Sequence, residues 1–469
     1  MKNHHFLLIS CPAQGHINPC LQLSKCLIQS GGHVTFATTV HGLGQIKSLP
    51  SLPGLSFASF SDGFDNGTKL TDDPNHVMSQ MKRVSSQSLT NLILSLSSKQ
   101  HNKPITFLIY SILLPWAAAV ARDLSIPSAF LCIQSATAFA IYNHYFNREQ
   151  GVYHKYKNDP PSFIKLQGLP PFSSKELPSF LLPDSPHVSI LPTFLEHIQT
   201  LEDDPNPCVL LNTYDVLEKE AIAAVSFMNP ISIGPLIDPC PFLDEKDQSN
   251  ESFSCDLFEA SPNKDYLQWL DSKPNSSVVY VSFGSMVVLQ AKQIIEVLLG
   301  LLNSGRPFMW PIHSSKYRGE EDEDKIAMKE IIEGVEQEKG LIIPYWCSQV
   351  EVLCHRSVGC FVAHCGWNST VESLAAGVPV VGCPQFSDQT TNAKMVEEVW
   401  GNGVRAKGNE DGIIVKEEIK RCVDEVMSDG EKGEDIRRNA TKWKGLVKEA
   451  LKEGGSSSQH LKLFMERLM

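Results

Sequence analysis

The stretch FVAHCGWNSTVESLAAGVP, residues 361–379, contains the signal that decides the fold. An apolar run from Val358 to Ala363 predicts a buried strand, and the polar residues from His364 onward end it abruptly. The next residues predict a tight turn, and a helical pattern begins near Asn368. A strand that leads through a tight turn into a helix is typical of parallel α/β sheets.

A helix that starts at the carboxyl end of a strand predicts an anion site. Its first backbone N–H groups have no partner within the helix and carry partial positive charge, so a phosphate is the most natural ligand. His364, Asn368 and Ser369 would add side-chain donors. The alternative is that Asn368 or Ser369 merely caps the helix, because Ser369-x-x-Glu372 is a capping-box pattern. Capping does not account for His364 and Trp367, so we favour the anion site.

The same alternation of apolar runs and helical patterns extends through both halves of the chain. In the first half, the pair Asn18 and Pro19 predicts a helix that is capped by Asn18 and begins at Pro19. In the second half, residues 290–304 predict a helix. The predicted strands are FLLIS (6–10), HVTFAT (33–38), TFLIYS (106–111), SAFLCI (128–133), CVLLNT (208–213), SVVYVSF (277–283), PFMWPI (307–312), LIIPY (341–345), VGCFVAH (358–364) and VPVVGC (378–383). The predicted fold class is α/β, with two Rossmann-like doubly wound parallel-sheet domains that face each other across a cleft.

Bulk properties exclude several classes of function. A chain of 469 residues suggests two domains, and a net charge of -12 argues against nucleic acid or an anionic membrane as a partner. No apolar run is long enough to predict a membrane span. Thirteen cysteines without a Cys-x-x-Cys pair predict reduced thiols in the cytoplasm and no metal site. Asp322-x-Asp324 resembles a metal site, but its acidic surroundings favour a solvated loop.

Residues 346–389, WCSQVEVLCHRSVGCFVAHCGWNSTVESLAAGVPVVGCPQFSDQ, resemble the plant secondary-product glycosyltransferase signature over its whole length. PAQGHINP (12–19), VYVSFGS (279–285) and GGSSSQHLK (454–462) are also similar to this family of inverting, UDP-sugar-dependent enzymes. The resemblance implies the GT-B architecture and, as a further expectation, a monomer. Its domains would be an acceptor-binding domain (1–236), a linker (237–258), a UDP-sugar-binding domain (259–455) and a carboxyl-terminal helix (456–469) that returns to the first domain.

The resemblance also implies a role for each residue of the donor site. Trp346 would stack on uracil, Gln349 and the backbone of Val350 would contact the nucleotide, and Glu372 would accept hydrogen bonds from the ribose hydroxyls. The residues implied for the diphosphate are Ser285, His364, Asn368 and Ser369, and those implied for the sugar are Trp367, Asp388 and Gln389. Gln389 favours glucose over galactose. Core packing is the alternative role for the two tryptophans.

His16 matches the catalytic base of this family, which takes a proton from the acceptor as its oxygen attacks the anomeric carbon. UDP-glucose would be a co-substrate, and neither a metal nor another cofactor is expected. Relatives carry an Asp where this chain has Ser111, and Asp123 lies too far along the chain to replace it. Ser111 can hydrogen-bond the imidazole but cannot offset its charge, so we expect an acceptor that ionises easily, a carboxylic acid or an acidic phenol.

The acceptor itself is expected to be a small, apolar aromatic or polyene molecule. The chain looks most like the branch that contains crocetin and aromatic-acid glucosyl-ester enzymes and anthocyanin 5-O-glucosyltransferases. The candidate pocket residues are Gln14, Ile133, Ser135, Phe139, Tyr142, Phe180 and Leu191, with Phe386 and Ser387 at the sugar end. Two alternatives stay open: a flavonoid or anthocyanin O-glucosyltransferase that uses neutral hydroxyls, and a non-catalytic carrier of small molecules. A dinucleotide-dependent oxidoreductase is disfavoured, because CPAQGHINP has one glycine where the dinucleotide-binding motif needs three.

Overall fold

The computed structural model describes residues 4–68, 73–97, 104–148, 152, 163–182, 185–238, 242, 264–312, 317–318 and 323–468. The chain divides into two compact units. The first unit comprises Met1–Asp238 and Ala450–Met469, and the second comprises Pro239–Glu449. Nearly all of the predicted linker, 237–258, lies outside the described residues.

Within the described residues, the first unit contains a seven-stranded parallel sheet with the order β3-β2-β1-β4-β5-β8-β9. A separate antiparallel pair is formed by β6 and β7. The strands are β1 (His5–Ile9), β2 (His33–Thr39), β3 (Leu55–Phe60), β4 (Phe107–Ser111), β5 (Ser128–Cys132), β6 (Phe163–Ile164), β7 (Phe172–Ser173), β8 (Val209–Leu211) and β9 (Pro230–Ser232). Most residues of the central strands are buried, which explains why they read as continuous apolar runs.

Helices connect these strands. They are α1 (Gln14–Gln29), α2 (Val40–Gln45), α3 (Pro74–Leu96), α4 (Trp116–Asp123), α5 (Ala136–Phe146), α6 (Leu191–Glu202) and α7 (Lys219–Ala224). The predicted start of the first helix, with Asn18 as its cap, is wrong. The N–H groups of His16 and Ile17 already donate to the Ala13 carbonyl, so the first turn forms before Pro19, which lies inside the helix. This earlier start brings His16 into the first turn of α1.

The second unit is built around a six-stranded parallel sheet with the order β14-β12-β10-β15-β16-β17, as far as the described residues show. Its strands and the pair β11–β13 are β10 (Val278–Ser282), β11 (Leu289–Gln290), β12 (Phe308–Pro311), β13 (Tyr317–Arg318), β14 (Gly340–Ile343), β15 (Val358–Ala363), β16 (Val380–Gly382) and β17 (Gly403–Arg405). Its helices are α8 (Asp265–Asp271), α9 (Ala291–Ser304), α10 (Glu323–Glu333), α11 (Gln349–Leu353), α12 (Trp367–Ala376), α13 (Gln389–Lys394), α14 (Lys416–Met427) and α15 (Glu431–Leu451).

The last helix, α16 (Ser456–Arg467), belongs to the first unit. The ring of Phe464 packs edge-on against Phe107 of β4, with 5.5 Å between the ring centroids. Ser457 Oγ donates to the Gly234 carbonyl, and His460 Nδ1 lies 3.0 Å from the Ser232 carbonyl oxygen. These contacts fix α16 to strand β4 and to the end of the edge strand β9.

Both sheets reverse their strand order at one point, between β1 and β4 in the first unit and between β10 and β15 in the second. The predicted fold class, a doubly wound parallel α/β sheet in each half, is confirmed. In such sheets ligands bind outside the carboxyl ends of the strands at this switch point, because the two crossover connections leave it on opposite faces. Among the described residues, no helix has both the length and the apolarity to cross a bilayer.

Candidate active site

The switch point of the second unit joins two loops that the sequence analysis singled out. Ser282, the last residue of β10, pairs in register with Ala363, the last residue of β15. The next residues along each strand therefore leave the sheet side by side. One loop carries Gly284 and Ser285, and the other begins with His364.

The imidazole of His364 is confined by two glycines. A Cβ atom at Gly284 would lie 2.8 Å from Nε2 of His364, and one at Gly366 would lie 2.4 Å from the same atom. Either side chain would collide with the ring. Gly284 also has φ +70°, a conformation that residues with a Cβ rarely adopt. The two glycines thus leave the space between the loops that the His364 ring occupies.

His364 is uncharged at neutral pH. Burial lowers the pKa of His364 to about 4, although a hydrogen bond with the backbone of Ser282 opposes the shift. Its Nδ1 atom is buried and has no hydrogen-bond partner among the described residues. The side chain can therefore contribute a hydrogen bond to a ligand. The positive charge that would attract an anionic ligand must come from another group.

Helix α12 supplies that partial positive charge at its start. Its N-cap is Gly366, which provides no side-chain cap, and the first turn contains no acidic residue. The capping alternative for Asn368 and Ser369 is therefore wrong: both lie inside the helix, and Ser369 Oγ accepts a hydrogen bond from Gln349. The open start of a ten-residue helix at the switch point suits an anionic group.

Gln349 and Glu372 form a hydrogen-bonded pair beside the first turns of α12. The Gln349 side-chain amide donates to Glu372 Oε2 over 2.6 Å and to Ser369 Oγ over 2.9 Å. Burial raises the pKa of Glu372 to about 7, and the hydrogen bond from Gln349 only partly offsets it. Glu372 is half-buried, so this carboxylate can accept further hydrogen bonds from a ligand.

Trp346 lies at the edge of an apolar cavity within the second unit. The ring is half-buried, and the cavity opens beside the carboxyl ends of β10, β12 and β14. Its other lining residues are Ser282, Phe283, Gly284, Val287, Leu289, Ile294, Trp310, Pro311, Ile312 and Tyr345. Val350, a few residues along, is buried. A half-buried aromatic ring beside an apolar cavity suits a flat heterocyclic ring.

The side chains of Asp388 and Gln389 are buried and held by hydrogen bonds. Gln389 Oε1 accepts from the backbone N–H groups of Gln385 at 2.9 Å and Phe386 at 3.1 Å. Two N–H donors must face an oxygen, so the NH₂ group of Gln389 points the other way. Asp388 accepts from Ser387 Oγ at 3.1 Å and from Asn392, which the sequence analysis did not identify although it lies one helical turn beyond Asp388.

Trp367 is placed differently from its implied role. Its ring is buried and packs against Trp400, with 6.0 Å between the ring centroids. The core-packing alternative therefore describes the ring of Trp367. Any contact with a sugar would have to come from its backbone.

In the first unit, His16 and Ser111 flank the switch point between β1 and β4. The hydrogen bond that Ser111 is able to make to the imidazole is not formed, because His16 Nδ1 and Ser111 Oγ are both buried without a partner among the described residues. Burial lowers the pKa of His16 to about 4. Asp123 is exposed at the end of α4 and does not replace the missing carboxylate.

Two candidate acceptor residues, Tyr142 and Phe180, belong to an aromatic cluster in the first unit. Phe194, which the sequence analysis missed, lies between Tyr142 at 4.4 Å and Phe180 at 5.3 Å, measured between ring centroids. Ile133, Phe139 and Leu191 are also buried, and Gln14 is the half-buried first residue of α1.

Ser135 and Phe386 lie outside this cluster. Ser135 is fully buried, and its hydroxyl caps α5 by accepting from the Ala138 N–H, so it is a helix cap instead of an acceptor contact. Phe386 belongs to the second unit and packs against its core. Asp322, considered for a metal site, lies outside the described residues, and no cluster in the described ranges could hold a metal ion.

The chain is similar in sequence and in structure to known proteins. The family described as "UDP-glucoronosyl and UDP-glucosyl transferase" matches residues 247–443. Crocetin glucosyltransferase, chloroplastic, of Gardenia jasminoides is 49% identical over 99% of this chain and 98% of the relative. Phloretin 4'-O-glucosyltransferase of Malus domestica is 47% identical over 100% of this chain and 98% of the relative. The crystal structure of Os79 from O. sativa in complex with UDP matches with a TM-score of 0.85 and 32% identity, over 99% of this chain and 100% of that chain.

Proposed function

Because the chain belongs to the plant family 1 UDP-glycosyltransferases, we propose that it is an inverting glucosyltransferase that uses UDP-glucose. Its acceptor in this proposal is a small plant molecule that carries a carboxylate or an acidic phenol. The product is a β-glucose ester or a β-glucoside. No resident cofactor is part of the proposal, since the co-substrate supplies the sugar.

The donor site in this proposal lies at the switch point of the second unit. Trp346 stacks on uracil beside the apolar cavity, and the Glu372 carboxylate accepts hydrogen bonds from the ribose hydroxyls. The diphosphate binds at the open start of α12, where the backbone N–H groups donate to it; His364, Ser285 and Asn368 add polar groups. This arrangement is supported by the uncapped helix start and by the half-buried carboxylate of Glu372.

The sugar in this proposal is held by Asp388 and Gln389. Asp388 accepts hydrogen bonds from glucose hydroxyls, while the amide of Gln389 donates one. The fixed orientation of the Gln389 amide supports this division of roles. The preference for glucose over galactose is part of the proposal.

His16 is the proposed base. It takes the proton from an acceptor hydroxyl, where one is present, as that oxygen attacks the anomeric carbon from the side opposite UDP, which inverts the α-linkage to β. UDP leaves with the bonding electrons, and the N–H groups at the start of α12 stabilise the developing charge.

The observation that carries the acceptor class is Nδ1 of His16, which has no partner among the described residues. No carboxylate in the described part of the chain is paired with this atom to stabilise the imidazolium that proton abstraction would form, and burial lowers the pKa of His16 to about 4. Such a base is poorly matched to a neutral alcohol. A carboxylic acid, with a pKa of about 4, arrives already ionised at neutral pH, and an acidic phenol is intermediate.

A hydroxycinnamic acid, which carries both groups, tests the acceptor class directly. The purified protein is incubated with this acid and UDP-glucose, the product is identified by mass, and mild alkali is applied. We expect an alkali-labile glucose ester. An alkali-stable phenolic glucoside would contradict the carboxylate preference and would show that His16 manages proton transfer without a carboxylate partner.

Substitution of Ser111 tests the same argument from the protein side. Ser111→Asp should raise activity on simple phenols, because the new carboxylate stabilises the protonated His16. Ser111→Ala is the matched control for the hydroxyl, and circular dichroism checks that the buried Asp is tolerated. The argument fails if folded Ser111→Asp gains no activity on phenols.

A second candidate is a flavonoid-type O-glucosyltransferase that uses neutral hydroxyls. The relative named for phloretin 4'-O-glucosylation, at 47% identity, favours it. A flavonoid panel under the same conditions separates the candidates. The carrier alternative predicts that no acceptor causes UDP release, so a single turnover with any acceptor excludes it.

We further propose that the enzyme works as a monomer in the cytoplasm. Size-exclusion chromatography with light scattering tests the first point. Cell fractionation tests the second, and the word chloroplastic in the name of the Gardenia relative makes the plastid the competing compartment.

A further inference from the structure

Asn392 joins two parts of the donor site of the second unit. It lies in α13, is fully buried, and donates from Nδ2 to Asp388 Oδ2 over 2.8 Å and to the Cys365 carbonyl over 3.0 Å. Both partner atoms are oxygens that accept, so the NH₂ group must face them and each of its hydrogens has one partner. The orientation of the amide is therefore fixed by its surroundings.

The two partners of Asn392 come from different loops. Cys365 lies in the turn between β15 and α12, with φ +61°, and its neighbours are His364 and Gly366. Asp388 follows β16 and is the N-cap residue of α13. A single buried amide thus ties the carboxylate proposed for the sugar to the turn proposed for the diphosphate.

We propose that Asn392 is a positioning residue for the glucose part of the donor, an inference that rests on the proposed function. Asn392 fixes where Asp388 lies relative to the diphosphate turn, so that the carboxylate of Asp388 meets the sugar hydroxyls. Asn392 and Ser387 both donate to this carboxylate, which offers about four acceptor positions in all.

This role makes a prediction that simple stabilisation of the fold does not. UDP has no sugar and gains nothing from the position of Asp388, whereas UDP-glucose does. Loss of the Asn392 amide should therefore weaken UDP-glucose and leave UDP almost unaffected. A residue that only supports the fold would weaken both ligands together.

The experiment compares Asn392→Ala and Asn392→Asp with the wild-type protein by isothermal titration calorimetry of UDP and of UDP-glucose. The loss of a hydrogen bond that holds a charged group predicts that the Kd for UDP-glucose rises by about tenfold or more and that for UDP by less than about threefold. Asn392→Asp should have the larger effect, because it places a second carboxylate against Asp388. Equal weakening of both ligands, or no weakening, overturns the proposal.

Asn402 provides a matched control. It is also a fully buried asparagine of the second unit, but neither its Oδ1 nor its Nδ2 has a hydrogen-bond partner among the described residues. Asn402→Ala should leave the ratio of UDP-glucose to UDP affinity unchanged. If this control changes the ratio as much as Asn392→Ala does, the proposal is overturned.

Asp388→Asn completes a double-mutant cycle. If Asn392 acts through Asp388, the combined variant should bind UDP-glucose no more weakly than Asp388→Asn alone. Full additivity of the two substitutions contradicts the proposal.

Where Asn392→Ala does not fold, Asn392→Ser, which keeps one donor, is measured in the same way. Failure of every Asn392 variant to fold, with Asn402→Ala folded, identifies a structural residue and also overturns the proposal. These titrations need no acceptor, so a wrong acceptor assignment would not affect them, and failure of wild-type protein to bind UDP-glucose would instead refute the proposed function.

Discussion

The amide nitrogen of Gln349 lies 2.6 Å from Oε2 of Glu372 and is the hydrogen-bond donor to that carboxylate. This single contact does not offset the burial of Glu372, whose pKa rises to about 7. A group that titrates at neutral pH within the proposed ribose site should make donor binding pH-dependent. Its protonation also affects the stability of the free protein.

UDP affinity should fall as the pH drops below 7. Ribose hydroxyls donate to the ionised carboxylate, so a protonated Glu372 must lose its proton before it can accept both hydrogen bonds. The expected loss approaches about tenfold per pH unit below the pKa. Glu372→Gln should bind UDP weakly and with a flat profile, whereas Glu330→Gln on the exposed face of α10 should behave as wild type. A pH-independent UDP affinity in the wild type would contradict this assignment.

Glu372→Gln should weaken UDP binding but should stabilise the folded, ligand-free protein. The folded pKa of Glu372 is raised from 4.5 to about 7, so its contribution to stability is fully present below 4.5 and is lost as the pH rises through 7. Glu372→Gln should therefore raise the Tm of the ligand-free protein more at pH 8 than at pH 5. Thermal denaturation at the two pH values provides the measurement, and an equal change in Tm would contradict the pKa shift.

His16 should remain neutral over the whole physiological range. Its pKa is lowered from 6.5 to about 4, so the acid limb of kcat/KM for the acceptor should lie near pH 4 when UDP-glucose is saturating. An acid limb near pH 6.5 would show that the imidazole is solvated or paired with an anion during the reaction.

Removal of His16 should separate the two acceptor classes. For a phenol, His16→Ala should lower kcat by about a hundredfold or more, the usual contribution of a general base. For a carboxylic acid, which needs no deprotonation, the loss should be less than about tenfold. Rates measured with one acceptor of each class test this prediction, and equal losses would contradict the proposed acceptor class.

Gly366→Ala should damage the diphosphate site. The new Cβ would lie 2.4 Å from Nε2 of His364, so the ring must move out of its place between the loops. The loss of one hydrogen bond to an anionic group predicts that UDP affinity falls by about tenfold. Gly445→Ala is the matched control, because its Cβ would meet no atom within 4 Å in helix α15. The control should retain wild-type UDP affinity and gain about 0.4–1 kcal/mol of stability.

Gln389→Glu should weaken the binding of the sugar without weakening that of UDP. A Glu oxygen can still accept from the N–H groups of Gln385 and Phe386, so the local structure is kept. The second carboxylate oxygen, however, replaces the NH₂ group, which is the hydrogen-bond donor of the Gln389 side chain. The loss of one such donor predicts that the Kd for UDP-glucose rises by about tenfold while that for UDP changes little. Unchanged affinity for UDP-glucose would show that the Gln389 amide does not face the sugar.

The strands of the sheet interiors were predictable because their residues are buried on both faces and appear as apolar runs. Strand β3 was missed, since LSFASF is only partly buried and alternates with polar residues. Strand β17, GVR, has a single branched apolar residue between a glycine and an arginine, so it gives no apolar run. The start of α1 was misplaced, because a proline is usually found at a helix start and here lies inside the helix.

The roles of individual side chains were less predictable than the positions of the helices and strands. Ser369 has a sequence context typical of a helix cap, yet its hydroxyl accepts from Gln349, which lies 20 residues away in the chain. Ser135 was expected in a pocket and instead caps α5. A hydroxyl can accept from any nearby donor, and the nearest donor depends on which elements pack together.

The sequence by itself determined the alternation of strands and helices, the doubly wound class of both sheets and the residues that follow the strands at each switch point. These features depend on local apolar periodicity and on the spacing of the signature. Tertiary structure alone decided that Gln349 meets Glu372, that Asn392 joins Asp388 to Cys365, and that His16 and Glu372 have shifted pKa values. The reason is physical: the register of parallel strands brings distant loops together, and a pKa depends on the water that packing excludes.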